Sequence, residues 1–413
     1  MPGDGRRARS GPHWARWNGS PGQRYTLGVE EEIFLLDAAD RSLAQASEGV
    51  LAGLSTEMSG HTSPETHASV VELKTGIHMD VAGVVDELAR LRFKLAEELR
   101  AMRLCAASAG TYPLASPAET RVSGGGRHGV VATSMRALAR RDPTLALHVH
   151  VGVPDPEEAV RVLNGLRRAV PLLLALSANS PFCQGADSGF ASLRTMIFQG
   201  FPRTGTPRRF ESYADYVGAV DALIGPGALP DPSFLWWDVR LQPVLGTVEV
   251  RVMDAQSSIA DSAALIALVQ GLARLELEGA PTDETIGAEA LAENRFLAAR
   301  DGLDAWLIDP NQRRLVPVRE LLAGQLTRCR AHADAVDSVE LDRVRRLMVA
   351  NGADRQRAWA HDDGLVGLVV KLTERFAPLR PKVRGITPIA PADEEPPAAP
   401  RDVARTGGPA TAV

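Results

Sequence analysis

The chain has 413 residues, of which 45% are hydrophobic, and its formal net charge at pH 7 is −5. This length and hydrophobic share suffice for a substantial core and predict one large domain or two ordinary ones. The small acidic excess lacks the basic footprint of a nucleic-acid-binding protein, and the longest apolar runs, 169–178 and 365–370, are too short to span a bilayer. We therefore predict neither a nucleic-acid partner nor a membrane partner.

The two ends of the chain differ in composition from the rest. Residues 1–24 are basic and rich in Gly and Pro, and residues 378–413 are rich in Pro and Ala. Such segments bury little apolar surface, so we predict two disordered tails around a single domain over 25–377. The first tail lacks the apolar core of a secretory signal, and the three widely spaced cysteines favour reduced thiols. Both features predict a cytoplasmic protein.

Taken in chain order, alternating or β-branched runs predict strands, and apolar residues at helical spacing predict helices. Asp155 before Pro156 is typical of a helix start, whereas Pro171 should kink or divide the same helix. Because long helices separate strands without a regular strand–helix–strand series, we expect an α+β fold. The predicted order is a strand over 25–36, a strand over 70–77, a helix over 81–104, a strand over 147–153, a helix over 156–177, a strand over 246–253, and helices over 261–278, 334–360 and 364–376.

Each predicted strand has one aliphatic face and one face of charged or imidazole side chains. Side chains alternate between the faces of a strand, so Glu30 and Glu32 share one face while Glu31 lies among aliphatic residues. If the strands pair in one sheet, their aliphatic faces pack on helices and their polar faces form the floor of one cleft. The polar pairs of the other three strands are Glu72 with Lys74, His148 with His150, and Glu249 with Arg251.

Several carboxylates in one cleft repel one another unless a cation lies between them. Oxygen ligands in such number suit Mg²⁺ or Mn²⁺, and Arg251 and Lys74 would then remain available for phosphate or carboxylate groups. That mixture is what a Mg–ATP site requires. A solvent-facing polar sheet face is the ordinary alternative for any one strand. The presence of two His and four Glu, distributed over four strands, favours a site.

A second kind of site is compatible with some of these residues. The His-x-His pair His148 and His150 also suits Zn²⁺, as in a metal-dependent amide hydrolase. That reaction needs further ligands, and of the nine histidines only these two lie well within a predicted strand. It also leaves Arg251 and Lys74 without a function. The glycine-rich stretch 123–129 lacks the ending of a P-loop and is predicted to be a flexible loop.

The predicted strands also carry a resemblance to a known family. The stretches YTLGVEEEIFLLD, VVELKTGI, LHVHVGVPDPEEAV and TVEVRVMD, with LWWDVR ahead of the last, occur in that order within 25–377. They resemble the carboxylate–amine ligase family related to glutamate–cysteine ligase, known as glutamate–cysteine ligase type 2. The resemblance implies a glutamine-synthetase-like fold, in which a curved, largely antiparallel sheet has helices on its outer face and binds Mg–ATP and an amino acid on its concave face.

The resemblance implies an activity as well. In such enzymes ATP phosphorylates a carboxylate, typically the γ-carboxylate of glutamate, and an amine, typically that of cysteine, displaces the phosphate to form an amide. We therefore expect an ATP-dependent carbon–nitrogen ligase that acts on an amino-acid carboxylate and an amine. Its expected cofactors are ATP and Mg²⁺ or Mn²⁺, and its expected oligomeric state is a homodimer.

The resemblance also assigns roles by position. The metal ligands it implies are Glu30, Glu32, Glu72, Glu249 and His148, and Arg251 is the catalytic residue on the transferred phosphate or the substrate carboxylate. From the residues themselves, we expect His150 as a second catalytic residue and Lys74, Arg194 and Arg240 as contacts to substrate or ATP. For Arg194 and Arg240, a salt bridge at the surface or at an interface is the alternative.

Three more positions bear on the site. Glu65 would be a further metal ligand only if a turn separates it from Glu72, because in an unbroken strand it would face the other way. The chain departs from the family at Tyr112 and His128, where the family usually has His and Tyr. Both departures fall in loops that we expect near nucleotide or substrate.

Overall fold

The centre of the fold is a sheet of seven strands, and every neighbouring pair in it is antiparallel. In this computed structural model, which describes residues 12–116, 120–279, 286–309, 312–333 and 335–377, the strands are β1 Leu27–Asp37, β2 Thr62–Pro64, β3 Val70–Lys74, β4 Leu104–Ala107, β5 Leu147–Gly152, β10 Val239–Gln242 and β11 Thr247–Val250. The order across the sheet is β10–β11–β5–β1–β3–β2, and β4 pairs with the end of β1. The predicted, largely antiparallel sheet is confirmed.

Short pairings and helices make up the rest of the described structure. The two-stranded pairings join β6 Phe182–Cys183 to β7 Ala186–Asp187, β8 Thr204–Gly205 to β9 Trp236–Trp237, and β12 Trp306–Asp309 to β13 Arg314–Pro317. The helices are α1 Ser47–Gly53, α2 Thr56–Ser59, α3 Val81–Ala101, α4 Gly126–Met135, α5 Pro156–Ser177, α6 Leu193–Phe198, α7 Tyr213–Ile224, α8 Ile259–Glu278, α9 Ala288–Asp301, α10 Val318–Arg330, α11 Ala335–Leu347 and α12 Gly352–Phe376. None of the described helices combines the length and the apolar character needed to cross a bilayer.

Helix α5 begins where the sequence predicts but is not divided at Pro171. It begins at Pro156, and the Asp155 side chain accepts hydrogen bonds from the backbone N–H groups of Glu157 and Glu158, so the predicted start is confirmed. The helix continues through Pro171 to Ser177, and the predicted division is wrong. Most of its second half is buried, and this packing outweighs the backbone hydrogen bond that a proline cannot donate.

The C-terminal helices also differ from the prediction. The single helix predicted over 334–360 is wrong, because α11 ends at Leu347 and α12 begins at Gly352. Asn351 starts the new helix: its side chain accepts from the Asp354 N–H, and the Asp354 carboxylate accepts from the Asn351 N–H. Within α12, Gly364 has a φ of 68° and interrupts the helical backbone close to the predicted boundary.

The aliphatic faces of the strands and the helices form one large core. Helix α3 contributes six fully buried apolar side chains at helical spacing, and they belong to the same cluster as the aliphatic residues of β1 and β5. Each such side chain contributes roughly 1.5–3 kcal/mol relative to its exposed state. Helices therefore cover one face of the sheet, as predicted, and leave the polar face for a cleft. The six α3 residues are Val81, Val84, Leu88, Leu91, Leu95 and Leu99.

One charged pair lies inside this apolar layer. The Glu31 and Arg92 side chains are both 0% exposed, and Arg92 Nε donates to Glu31 Oε2 at 2.6 Å while its Nη2 donates to Oε1. Ser262 Oγ donates to Glu31 Oε1 at 3.0 Å. Arg92 also donates to the carbonyls of Gln256 and Phe376, at 2.7 and 3.0 Å. The pair thus connects β1, α3, α8 and the end of α12.

Residues 12–24, called here the N-terminal strap, lie across the ends of β5 and the β10–β11 turn. The Trp17 Nε1 donates to the carbonyls of Val153 and Pro154, at 3.0 and 3.1 Å. The Asn18 N–H donates to the Pro243 carbonyl at 2.9 Å. The tail predicted over 1–24 is therefore folded from residue 12 onward; residues 1–11 and 378–413 of the two predicted tails lie outside the described residues.

We expect Arg92→Met to lower the free energy of unfolding by about 3–5 kcal/mol, because it leaves Glu31 as a buried charge without its partner. Urea denaturation of the wild type and the variant would measure the loss. Arg90→Met is the matched control: Arg90 lies two residues away on α3, is 42% exposed and pairs with the half-exposed Glu57, so its loss should stay within about 1 kcal/mol. Equal losses in both variants would contradict a special role for the buried pair.

Candidate active site

The pairing register brings the polar residues of four strands onto one face. Gly28, Glu30 and Glu32 of β1 alternate with residues of the core, as the sequence predicts. Across the sheet, Glu30 is opposite Lys74 and His148, Glu32 is opposite Glu72, His150 is opposite Gly28 and Glu249, and Glu249 is opposite Arg240. Arg251 lies just past the end of β11, and its Nη1 still contacts the Glu249 carboxylate.

Glu30 is surrounded by cationic and imidazole groups. Its Oε2 is 3.4 Å from His148 Nδ1 and 3.9 Å from His150 Nε2, and its Oε1 is 3.6 Å from Lys74 Nζ. Burial disfavours its charged form, but the hydrogen bonds from the two imidazoles outweigh burial and hold the pKa of Glu30 well below its ordinary value. Glu30 is therefore a carboxylate at neutral pH.

Glu32 and Glu72 have the opposite electrostatic environment. They face each other across β1 and β3, and both are less than a tenth exposed. Burial, together with the neighbouring carboxylates, raises the pKa of Glu72 to about 7 and that of Glu32 well above its ordinary value. The chain supplies partial compensation. The Ala146 N–H donates to Glu32 Oε2 at 2.7 Å, and Lys74 Nζ and Ser63 Oγ contact Glu72 Oε1 at 2.8 and 3.1 Å.

Two groups of side chains have the composition and spacing of metal ligands. The first is Glu32, Glu72 and His148, and the second is Glu30, His148 and Glu249. Within each group, one donor atom per residue lies within 4.8 Å of the others. A bound cation would remove the repulsion between buried carboxylates that raises their pKa values. An oxygen-rich set with one imidazole suits Mg²⁺ or Mn²⁺. The first group therefore fits a divalent cation.

The pKa values of the two histidines are shifted in opposite directions. Burial, with the nearby Arg251, lowers the pKa of His148 to about 4, so this imidazole is neutral and can act as a ligand. For His150, the carboxylates of Glu249 and Glu30 outweigh burial and raise the pKa. Its Nδ1 lies 3.0 Å from Thr247 Oγ1. His150 is thus the more readily protonated of the pair.

Glu249 fits a metal less well, because the chain already neutralises it. Arg240 Nε and Gln242 Nε2 each approach Glu249 Oε2 at 2.6 Å, and Arg251 Nη1 donates to Oε1. Burial opposes the charge, but the two guanidinium groups hold the pKa of Glu249 well below its ordinary range. Arg240, predicted to contact substrate or ATP, instead holds Glu249 and donates to the carbonyls of Ser233 and Leu235. Its donors are engaged within the chain, so the geometry favours a positioning role.

The other two predicted contacts to substrate or ATP lie at the cleft. Lys74 Nζ is between Glu30 and Glu72 and compensates these carboxylates. Arg194 is buried and donates to the carbonyls of Val252 and Arg251, at 3.0 and 3.2 Å. Its Nε and the Nε of Arg251 are buried without a hydrogen-bond partner in the described structure. Both arginines border the same cavity.

That cavity, called here the arginine-lined cavity, lies at the Glu32 end of the carboxylates. Three guanidinium groups border it, from Arg127, Arg194 and Arg251. Sequence reasoning missed Arg127, which lies within the glycine-rich stretch 123–129. The flexible loop predicted there is wrong from Gly126 onward, because Gly126 begins helix α4 and Arg127 lies over the Phe234 ring, with its guanidinium carbon 4.8 Å from the ring centroid. Trp236 also borders the cavity, and the Arg203 guanidinium carbon lies 5.3 Å from its ring centroid.

A buried polar network supports Arg194. The Asp254 carboxylate accepts hydrogen bonds from the Ser180 and Ser192 hydroxyls, at 2.6 and 2.8 Å, and from the Asn179 N–H at 2.8 Å. Arg194 Nη1 lies 3.9 Å from the same carboxylate. Both serine hydroxyls thus act as hydrogen-bond donors to a buried carboxylate. Asp254 follows Arg251 by three residues, which is the only local signal for it.

The three remaining positions have separate outcomes. A turn separates Glu65 from β3, and Glu65 borders the arginine-lined cavity, where its charge raises the pKa of Glu32. Tyr112 is 1% exposed, contacts Phe34 in the core and donates to the Arg41 carbonyl, so this departure lies outside the cavity. His128 follows Arg127 on α4.

Comparison with known proteins shows which family the chain belongs to. The family model of glutamate–cysteine ligase family 2 matches residues 26–371. A relative from Rubrobacter xylanophilus, named as a glutamate–cysteine ligase 2-1, is 40% identical over 81% of this chain and 89% of its own length. A relative from Sorangium cellulosum, named as a glutamate–cysteine ligase 2, is 37% identical over 81% of this chain and 91% of its own. The names of both give that activity provisionally.

Solved structures share the fold at low identity. The glutamate–cysteine ligase of Francisella tularensis, solved with AMP, is similar with a TM-score of 0.64 and 12% identity, over 86% of this chain and 88% of that one. A bifunctional glutathione synthetase from Pasteurella multocida gives a TM-score of 0.63 at 13% identity, over 86% of this chain and 53% of that one. The expected glutamine-synthetase-like, α+β fold class is confirmed. The chain belongs to the glutamate–cysteine ligase family 2 and is, by that membership, a carboxylate–amine ligase.

We expect the metal-free wild type to lose stability relative to Glu72→Gln as the pH rises from about 4.5 to about 7. The folded protein keeps the Glu72 proton up to a pKa of about 7, whereas the unfolded chain releases it near about 4.3. The stability that this proton gives is thus present below about pH 4.3 and lost as the pH rises through about 7. Urea denaturation in EDTA at several pH values would measure a change on the order of 2 kcal/mol in the difference between the two proteins. A difference independent of pH would contradict the raised pKa.

Proposed function

We propose that this chain is an ATP-dependent carbon–nitrogen ligase that joins an amino-acid carboxylate to an amine through an acyl phosphate. Formation of γ-glutamylcysteine is the first reaction to test. The observation that carries the proposal is the composition of the cleft face. The buried carboxyl groups of Glu32 and Glu72, whose pKa values are raised, lie near Arg194 and Arg251, and each of these two arginines has a buried Nε without a hydrogen-bond partner in the described structure. We also retain the prediction that one domain, 25–377, contains the whole site.

The residues have distinct tasks in this proposal. Glu32, Glu72 and His148 would hold Mg²⁺ or Mn²⁺, and Glu30 lies beside them. Glu249 is the weakest candidate ligand, because Arg240, Gln242 and Arg251 already contact its carboxylate. The metal, when bound, neutralises charge on the ATP phosphates. Arg251 and Arg194 would bind the substrate carboxylate or the transferred phosphoryl group in the arginine-lined cavity. Guanidinium forks suit both groups.

The reaction has two steps. A carboxylate oxygen of the acid attacks the γ-phosphorus, the bond from that phosphorus to the β–γ bridging oxygen breaks, and ADP leaves. The amine nitrogen then attacks the acyl carbon, phosphate leaves and the nitrogen loses a proton. Arg251 and protonated His150 would stabilise the charge that builds up during transfer, since positioned charges, rather than a covalent intermediate on the protein, do most of the work in phosphoryl transfer.

A metal-dependent amide hydrolase, the alternative from the sequence, has less support. Each of the two ligand groups in the described residues contains one imidazole and two carboxylates, and His148 is common to both. Zinc hydrolases use such sets too, but a hydrolase gives no role to three guanidinium groups beside the carboxylates. Family membership also favours a ligase.

The direct experiment measures ADP and phosphate release by the purified protein with ATP, Mg²⁺ and glutamate, with and without cysteine and other amines. Release that requires both an acid and an amine supports the ligase and begins to define its substrates. Cleavage of amide substrates without ADP formation would instead support the hydrolase.

We expect Glu32→Gln to lower the turnover rate by at least about 100-fold, because it removes a charged ligand from the metal group. The same variant should unfold at a higher temperature than the wild type in EDTA, since the neutral amide avoids burying a charge and can still accept from the Ala146 N–H. Glu97→Gln, an exposed position on α3, is the control for loss of one carboxylate. A variant with full turnover would remove Glu32 from the site.

A further inference from the structure

Another cavity lies within the helical layer of the fold. Helices α5, α8, α9 and α10 and strand β12 form its walls, and none of the described residues that border it belongs to the seven-stranded sheet. Its volume is about 270 Å³, just below the range of roughly 300–1,000 Å³ that is usual for sites of drug-sized ligands. We call it the helical cavity, and its size suits one compact molecule.

One part of the helical cavity is apolar. Leu172 of α5, Leu272 of α8 and Leu307 of β12 border it, and each is less than a tenth exposed. The three side chains come from three different elements, so they surround the space rather than line one side of it. This part of the cavity suits an apolar side chain of a ligand.

A glycine shapes the wall between α5 and α8. A Cβ on Gly165 would lie 2.1 Å from the Glu276 side chain, so a larger residue there would displace Glu276. In this position both Glu276 carboxylate oxygens accept from Arg168 Nη2, at 2.9 and 3.0 Å. All three residues border the cavity. Since the chain already pairs these two charges, a charged ligand group must find its partners on another wall.

Helix α10 supplies charges on that other wall, with a gap between them. Glu320, Gly324 and Arg328 border the cavity and follow one another at intervals of four residues, so they lie along one face of the helix. Glu320 and Arg328 are separated by about 12 Å of helix axis, and Glu320 lies 4.0 Å from Arg314 instead. A Cβ on Gly324 would meet no atom within 4 Å. The row thus has an anion, an open space and a cation.

Two polar groups beside this space lack a partner in the described structure. Gln325 Oε1 is buried without a hydrogen-bond donor, although buried acceptors normally have one. Arg328, which is partly buried, forms no ion pair with the described residues. The two residues are three positions apart and therefore neighbours on the helix surface. A ligand with an N–H donor next to an anionic oxygen would satisfy both, and an α-amino acid has these two groups on one carbon.

We propose that the helical cavity binds a free α-amino acid with an apolar side chain, at a site separate from the cleft face. Its carboxylate would lie on the Arg328 guanidinium group, whose fork suits a carboxylate. Its ammonium group would donate to Gln325 Oε1 and lie toward Glu320, and its side chain would lie among the leucines of the apolar part. Because α5 and α8 also pack on the sheet, a ligand between them and α10 is placed as an effector rather than as a substrate. The inference does not depend on the proposed ligase function.

The test measures binding of L-leucine, L-valine and L-methionine to the full chain by calorimetry. Gly324→Leu would fill the space on α10 and should weaken leucine binding by at least about tenfold, or about 1.4 kcal/mol. Replacing a glycine inside a helix also favours the helix, so this variant should fold. Ala323→Leu is the matched control, because Ala323 is the exposed neighbour on α10 and does not border the cavity. It should change leucine binding by less than about twofold.

A second comparison tests the polar contacts and decides the question if Gly324→Leu does not fold. L-Leucinamide lacks the carboxylate, so the wild type should bind it at least about fivefold more weakly than leucine. Arg328→Gln should bind leucine about as weakly as the wild type binds leucinamide, without weakening leucinamide itself. Arg345→Gln, at a position 64% exposed on α11, is the control for loss of one arginine.

Three results would overturn the inference. The first is a wild type that binds none of the three amino acids. The second is equal binding of leucine by the wild type and Gly324→Leu, which is also the result expected if leucine binds in the cleft. The third is an Arg328→Gln variant that binds leucine like the wild type.

Discussion

Alternation along β1 is the constraint on which the rest of the structure depends. Glu30, Glu31 and Glu32 are consecutive, so one of them must face the core while its neighbours face the cleft. Arg92 compensates the inward charge completely, by a bidentate contact and without exposure. In the described structure the outward Glu30 and Glu32 have no bidentate guanidinium partner: Lys74 Nζ lies 3.6 Å from Glu30, and the Ala146 N–H donates to Glu32. One strand thus places one carboxylate, Glu31, where the chain itself neutralises it, and two others, Glu30 and Glu32, in the cleft, where a bound cation can neutralise them.

The cleft shows two ways of holding buried carboxylates. Glu249 has its own guanidinium groups and remains charged, whereas Glu32 and Glu72 face each other with one N–H, one hydroxyl and one ammonium group as partners. The carboxylate of Glu249 is thus neutralised in the metal-free protein. The pair Glu32 and Glu72 lowers the stability of the metal-free protein and favours the binding of a cation. At such a site, the same unneutralised charges that lower the free energy of unfolding also increase the affinity for a cation.

Local signals predicted much of this fold, and contacts across long sequence distances account for the rest. Alternation placed Glu30, Glu72 and His148 on one face, and Asp155 marked the start of α5. The same alternation could not tell that Arg240 would pair with Glu249, because that depends on which strands are neighbours. Arg127 reaches the cavity from a helix that the sequence did not indicate. Composition alone made the N-terminal strap look like a tail, since Trp17 is fixed by carbonyls more than a hundred residues away.

The Glu31–Arg92 pair also bears on the order of synthesis and folding. Two of the acceptors that complete the Arg92 hydrogen bonds, the carbonyls of Gln256 and Phe376, lie 164 and 284 residues further along the chain. Strand β1 likewise pairs with β5, and Glu31 accepts from Ser262 of α8. These contacts can form only after nearly all of the domain has been synthesised, so until then the Glu31–Arg92 pair stays in water and the sheet has an open edge. Contacts between residues this far apart in sequence slow folding.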